Sequence, residues 1–359
     1  MNTSIESPRT GLRGNPWATF AVCAIASYIS TLDMSIVNVA FFEIHKSFPK
    51  DSAATISWVV TAYSILFGSL LIVSGRMADQ IGRKKFFLVG TGLFLVGSLL
   101  CALSGTMAML ILGRAVQGVG GAMMTPASTG LLLGAFPAEK RGQVMAWTGS
   151  IGALGVASGP TLGAFVVSTF GWRSAFWINV PVCLAMALAA LRTIREPART
   201  GGARPDVWAS IVITVAVAAL VGAISRAETE GWADPTVLAL FASTAVLGLV
   251  VVRRTRRHPN PLLPPAMFRD RSFSVANVAT LLFGAGFSAN ILNNVLFLRT
   301  VWRLSVVHAG LLSVLAPVVV AITSMVTARL MRRVGFRPLL IGGPIVFASV
   351  VACEALLLG

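Results

Sequence analysis

Two ionisable side chains stand deep inside apolar runs of this chain, and any chemistry has to be argued from them. Asp33 lies in Thr31-Leu-Asp-Met-Ser-Ile-Val-Asn-Val-Ala40, and Arg114 lies in Met107-Ala-Met-Leu-Ile-Leu-Gly-Arg-Ala-Val-Gln-Gly118. If the runs are helices crossing a bilayer in opposite directions, a rise of about 1.5 Å per residue puts Asp33 about 24 Å from Trp17. The same rise puts Arg114 about 10 Å below the opposite surface, so the two share a depth and can meet. Ionisable groups at such depth are costly and are functional hypotheses by default. Burial and a neighbouring cation pull a carboxyl in opposite directions, and that competition is what an exchange of protons for cations requires. Two readings of the pair stand side by side: a protonatable coupling couple, and a structural ion pair.

Other polar residues within apolar runs are weaker candidates. Glu354 is the second acid inside a run, and its reading is structural or interfacial. Asn38, Gln117, Asn290, Asn293 and Asn294 offer hydrogen bonds to a substrate cavity, although polar residues between membrane helices equally serve as interhelical ties. Trp58, Trp147 and Trp177 could stack on flat aromatic cations, with interfacial anchoring and plain packing as the competing uses.

The elements that must hold these residues follow from composition. The chain has 359 residues, 55% hydrophobic and only 12% charged, with a mean hydropathy of +0.80. A soluble domain carries about a quarter charged residues, so that class is excluded. Apolar runs of about 20 residues indicate an all-α polytopic membrane protein. Spans are expected near 17–42, 55–74, 86–104, 107–133, 143–169, 174–191, 207–225, 236–252, 273–298, 305–328 and 338–358.

The net charge of +16 and pI of 11.3 raise the question of nucleic acid, and the positions of the cations answer it. With this set of spans, 22 of the 29 Lys and Arg residues fall on the side of the N-terminus and 6 on the other, with Arg114 within a span. That asymmetry predicts a cytoplasmic N-terminus in a multi-pass cell-membrane protein, with anionic lipid as the surface partner and nucleic acid excluded. Met1–Asn15 is polar, without an apolar core or cleavage pattern, and reads as a cytoplasmic tail. Cys23, Cys101, Cys183 and Cys353 all fall in apolar runs without metal-ligand spacing, so core packing is expected and neither disulfide nor metal. No nucleotide loop or nucleophile–His–acid set is present, and an enzyme is not expected.

A few further segments organise the rest. The charged link Gly75-Arg-Met-Ala-Asp-Gln-Ile-Gly-Arg-Lys-Lys85 joins two apolar runs, and Gly75 and Gly82 bracket Asp79 so that the backbone can turn. It has a gapless echo at Ala328–Gly343, where Arg329 matches Arg76, Gly335 matches Gly82 and Arg332 replaces Asp79. A parallel internal repeat of this kind belongs to transporters built from two similar halves. In the fifth run Gly155, Gly159 and Gly163 recur every four residues and form a close-packing face, while Pro160 removes one backbone donor. Gly-, Pro- and Arg-rich Arg192–Asp206 marks a boundary, and Arg253–Arg271 is a basic, proline-rich connection.

These motifs resemble those of the major facilitator superfamily. Gly75-x-x-x-Asp-x-x-Gly-Arg-Lys-Lys85 is similar to its signature between the second and third helices. Leu32–Ala40, Arg114-Ala-Val-Gln-Gly118, Gly155-x-x-x-Gly-Pro-x-x-Gly163 and Gly171–Pro181 resemble motifs of its fourteen-span drug:proton antiporters, the EmrB/QacA-like branch. The resemblance implies a major facilitator fold with about 11 of an expected 14 helices present, hence a C-terminally truncated chain. It implies a six-helix bundle at 1–192, a linker with two inserted helices at 193–252, and a partial bundle with its basic connection at 253–359. It also implies an exporter of lipophilic, cationic drugs by proton antiport, using a proton gradient and no cofactor. Asp33 and Arg114 would couple the proton, and Gly75, Arg76, Asp79, Gly82, Arg83 and Lys84 would gate, with Asp79 as an inter-bundle charge lock. The chain would act as a monomer or with an accessory efflux partner. Export or uniport of an endogenous metabolite, and a non-transporting membrane partner, stand as the alternatives.

Overall fold

The computed structural model describes residues 14–196, 206–258 and 265–304, scattered positions from 312 to 334, and residues 335–358. The described residues are helical throughout, without strands. The tail before Gly14, most of the expected span 305–328 and the echo positions Ala328, Arg329 and Arg332 lie outside them.

Helix α1 (Pro16–Ser47) starts where Asn15 caps it, its side chain accepting from the Trp17 N–H, with proline at the first position. Helices α2 (Ala53–Ile81) and α4 (Met107–Ala135) are capped likewise by Ser52 and Thr106. Then follow α3 (Arg83–Ala102), α5 (Ala138–Phe170), α6 (Ser174–Trp177) and α7 (Asn179–Thr193). Helices α8 (Val207–Glu230) and α9 (Pro235–Arg257) are capped by Asp206 and Asp234. A short α10 (Pro265–Arg269), α11 (Arg271–Thr300) and α12 (Phe336–Leu358) complete the described elements. Among the described residues, nine stretches are long and apolar enough to cross a membrane, and each coincides with an expected span. The expected span at 273–298 falls within the 30-residue α11.

Several boundaries differ from expectation. Glu43–Ser47, beyond the expected span at 17–42, continues α1, with Lys46 paired to Glu43 one turn back at 2.7 Å. Most of Gly75–Lys85 is also helix: α2 runs to Ile81, Gly75 is helical, and only Gly82 makes the turn, with φ of 112°. Helical hydrogen bonds need no apolar side chains, so an element outlasts its hydrophobic run. Gly335, the echo of Gly82, likewise has positive φ, at 82°, and immediately precedes α12. Cys23, Cys101 and Cys183 are buried as expected, whereas Cys353 is exposed.

The packing is pairwise. Helix α3 lies against α4, α1 against α5, α2 against α4, and the α8–α9 pair docks through α8 on α2. Thr61 and Ser225 bond across that α2–α8 contact at 3.3 Å. At the far end, Phe347 of α12 packs against Phe283 and Phe287 of α11.

Candidate functional site

Asp33 is the point on which α1, α3, α4 and α7 converge. Its Oδ2 accepts from Arg114 Nη1 at 2.5 Å, and its Oδ1 accepts from Gln117 Nε2 at 2.8 Å and from Asn179 Nδ2 at 2.8 Å. Gln117 and Asn179 also donate to Ser98 Oγ, at 2.8 and 3.2 Å. Arg114 in turn donates through Nη1 to Gln117 Oε1 at 2.7 Å and through Nε to the Val59 carbonyl on α2 at 3.0 Å. Its Cζ lies 4.2 Å from the Tyr63 ring centroid. Every member is sealed: Asp33, Ser98, Gln117 and Asn179 are 0% exposed and Arg114 1%. A desolvated ion pair persists only when its remaining donors and acceptors are also satisfied, and here the two amides and one backbone carbonyl do so. Two buried atoms, Asn179 Oδ1 and the Tyr63 hydroxyl, have no partner among the described residues.

Asp33 and Arg114, expected at one depth, meet; Gln117, read as a substrate-cavity residue, is instead sealed in with them, and the four expected asparagines lie apart. Asn38 is exposed on α1. Asn290 Nδ2 donates instead to Glu354 Oε2 at 3.3 Å, tying α11 to α12, and Asn294 bonds back to Asn290. Asn293 is exposed. Glu354, read as structural or interfacial, is the α12 end of that tie. Trp147 packs with Trp17 and Phe20, while Trp58 and Trp177 are half exposed. Asn179, Ser98 and Tyr63 are site residues that the sequence reading missed. Asn179 lies within the expected run 174–191 and opens α7 in the structure.

A cavity of about 130 Å³ opens between α1, α2, α4 and α5, lined by Ser27, Ser30, Thr31, Met34, Phe67, Met124, Thr125, Ser128 and Thr148 among others. Its wall is hydroxyl-rich and free of charge. The Ser30 hydroxyl, buried in that wall, has no partner among the described residues.

The α1–α5 seam shows what the small residues do. Ser27, Thr31 and Ser35, four apart on α1, donate to the carbonyls of Thr148, Gly152 and Val156, four apart on α5, at 3.4, 2.8 and 2.7 Å. Gly155 and Gly159 make room: a Cβ at either would run into Thr31 Oγ1 or Ser35 Oγ, and Gly163 faces Ile36 and Val39. The helix continues through Pro160. Proline there removes the N–H that would bond the carbonyl four residues earlier, Val156, and Ser35 supplies the replacement donor.

On the side of the N-terminus, the α2–α3 turn is locked by α4 and α7. Asp79 pairs with Arg83 one turn on at 2.8 Å, and Arg83 Nη1 donates to the Gly130 carbonyl at 2.6 Å. Lys84 Nζ caps the end of α7, donating to the Leu191 and Ile194 carbonyls at 3.0 and 2.6 Å. Glu196 reciprocates, accepting from the N–H groups of Lys84 and Lys85 at the start of α3, each at 3.0 Å. Gly82 fits beneath that carboxylate: a Cβ would stand 2.9 Å from Glu196 Cδ.

Comparisons with known proteins identify the family. Residues 23–358 match the family model of the Major Facilitator Superfamily. The chain is 32% identical over 307 residues to the tetracenomycin C resistance and export protein of Streptomyces glaucescens, covering 85% of this chain and 57% of that one. It is 31% identical over 329 residues to the multidrug resistance protein Stp of Mycobacterium tuberculosis (strain CDC 1551 / Oshkosh), covering 90% of this chain and 60% of that one. With the methylenomycin A resistance protein of Streptomyces coelicolor the identity is 34% over 281 residues, 77% of this chain and 58% of that one. The chain therefore spans less than two thirds of the length of these relatives. Among solved structures, the proton:xylose symporter XylE superposes with a TM-score of 0.59 at 13% identity, covering 90% of this chain and 71% of that one. The peptide transporter POT gives a TM-score of 0.53 at 16% identity, covering 90% and 69%. This multi-pass, all-helical chain belongs to the Major Facilitator Superfamily, a family of transporters and not of enzymes.

Proposed function

We propose that this chain works in proton-coupled export of lipophilic compounds, cations among them, by alternating access across the cell membrane with its N-terminus in the cytoplasm. The observation that carries the reading is the sealed contact of Asp33 with Arg114, Gln117 and Asn179. A carboxylate so enclosed is out of reach of water, so a proton arrives only when the helices part and Arg114 withdraws. Proton binding and helix rearrangement are then one event, which is what coupling means. Release of Arg114 leaves it bonded to Gln117 and Val59, so the guanidinium has somewhere to go. The names of the relatives, a tetracenomycin C resistance and export protein, a methylenomycin A resistance protein and a multidrug resistance protein, support export of drug-like compounds as the reading.

The cavity beside Ser30 serves in this reading as part of the substrate path. At about 130 Å³ it is smaller than the roughly 300 Å³ at which ligand pockets begin, so it supplies a subsite to a larger chamber. We assign the chain to the fourteen-span drug:proton branch, with a six-helix bundle at 1–192, two inserted helices within 193–252 and the start of a second bundle at 253–359. Asp79 would serve as the inter-bundle lock by exchanging Arg83 for a partner across the cytoplasmic face. Everted vesicles bearing the protein test the proposal. Addition of a lipophilic cationic dye should release protons from a preformed gradient, and Asp33→Asn should abolish that release. Undiminished proton-driven transport in the Asp33→Asn protein would overturn it.

A further inference from the structure

The ends of α8 and α9 that carry the basic stretch Arg253–Arg257 form a built pocket, and charge topology alone does not require one. Asp206, the cap of α8, is 4% exposed. Its carboxylate accepts from Arg254 Nε at 2.5 Å and Nη2 at 2.9 Å, and from the Ala209 N–H at 3.0 Å. His258 Nε2 stands 3.8 Å away. This clamp fastens the first turn of α8 to the last turn of α9 and fixes the walls of an open pocket of about 370 Å³. Its lining is Trp208, Val250, Arg253, Arg254, Arg257 and His258.

Three guanidiniums thus share a site with one carboxylate, and that carboxylate is occupied by Arg254. The surplus of positive charge resides at Arg253 and Arg257, both exposed. The opposite wall is apolar. Trp208 is 51% exposed, with Arg254 Cζ 5.0 Å from its ring centroid, and Val250 continues the wall along α9. Both helices are long and apolar enough to cross a membrane, so the pocket lies where a headgroup meets its acyl chains. Guanidiniums bind phosphate oxygens through charge-assisted hydrogen bonds, and tryptophan favours the interfacial level.

We propose that this pocket binds the phosphate of an anionic phospholipid, held by Arg253 and Arg257 with its glycerol and upper acyl chains against Trp208 and Val250. A soluble phosphate ester would satisfy the arginines but leave the apolar wall uncovered, and that wall favours the lipid.

The test uses the full chain in a neutral detergent, titrated with phosphatidylglycerol brominated on its acyl chains while tryptophan fluorescence is followed. Phosphatidylglycerol should quench a component that Trp208→Phe removes, and phosphatidylcholine should not. The Arg253→Gln/Arg257→Gln double variant should weaken the response at least about tenfold, the loss of a charge-assisted hydrogen bond. Lys140→Gln/Arg192→Gln, removing two exposed cations elsewhere on the same side, should leave it unchanged. Equal weakening in both double variants, or equal quenching by phosphatidylcholine, would overturn the proposal. Displacement of the lipid by millimolar inorganic phosphate would overturn it in favour of a soluble ligand. If Arg253→Gln/Arg257→Gln fails to fold, the comparison of wild type with Trp208→Phe under the two lipids still decides the matter.

Discussion

Ser35 donates its hydroxyl proton, at 2.7 Å, to the carbonyl that Pro160 deprives of its helical partner. One residue on α1 thereby completes the backbone of another helix, and the α5 proline becomes tolerable within hydrocarbon. The two residues form a unit that can be taken apart by substitution.

Ser35→Ala should lower thermal stability by about 1 kcal/mol, since it leaves the Val156 carbonyl without a donor. In a Pro160→Ala background the restored N–H satisfies that carbonyl, and the same change should cost almost nothing. Unfolding in detergent, run as a double-mutant cycle, measures the difference.

The Asp33–Arg114 pair makes the opposite kind of prediction. Arg114→Gln alone strands a carboxylate in a dry site, at a cost of about 3–5 kcal/mol. Asp33→Asn with Arg114→Gln removes both charges and should recover most of that stability while leaving proton-coupled transport absent. Circular dichroism melts alongside vesicle proton release separate the two effects.

Gly82 is constrained twice, by its φ of 112° and by the Glu196 carboxylate above it. Gly82→Ala should destabilise by about 1–2 kcal/mol from backbone strain, with a further steric component. Adding Glu196→Ala should relieve the steric component and leave the strain, a partial rescue readable as a rise in Tm.

The Asp206 clamp predicts a pH dependence with a definite sign. The Arg254 hydrogen bonds are the chief cause of a carboxyl held below its ordinary 3.8. A depressed native value stabilises above the unfolded value and is lost as pH falls through the native one. The Tm advantage of wild type over Asp206→Asn should therefore be full at pH 6 and shrink below about pH 4.

The sequence made the central pair legible because depth within a span is simple arithmetic, and because charges in apolar runs are rare enough to notice. Gln117 reads in the sequence as a cavity residue, and its place one turn beyond Arg114 puts it on the pair instead. Asn179, Ser98 and Tyr63 did not, because a single polar side chain in an apolar run looks the same whether it faces a carboxylate or a neighbouring backbone. The hydroxyl ladder of Ser27, Thr31 and Ser35 was hidden for a related reason. Serine and threonine ordinarily bond back to their own helix, as Thr31 also does to the Ser27 and Tyr28 carbonyls, and only the register of α1 on α5 brings the three hydroxyls to its carbonyls. The helical character of Gly75–Ile81 escaped notice because hydropathy marks where lipid ends, not where a helix ends.

Arg114 grips α2 as well as α1. Its Nε bond to the Val59 carbonyl seizes one end of the same 29-residue rod whose other end carries Asp79 and the Gly82 turn. A stiff helix does not absorb a tug at one end; it delivers it to the other, about 30 Å away. The Val59 bond thus ties the buried ion pair to α2, so the Asp33–Arg114 contact and the turn at the far end of that helix hang on one rod.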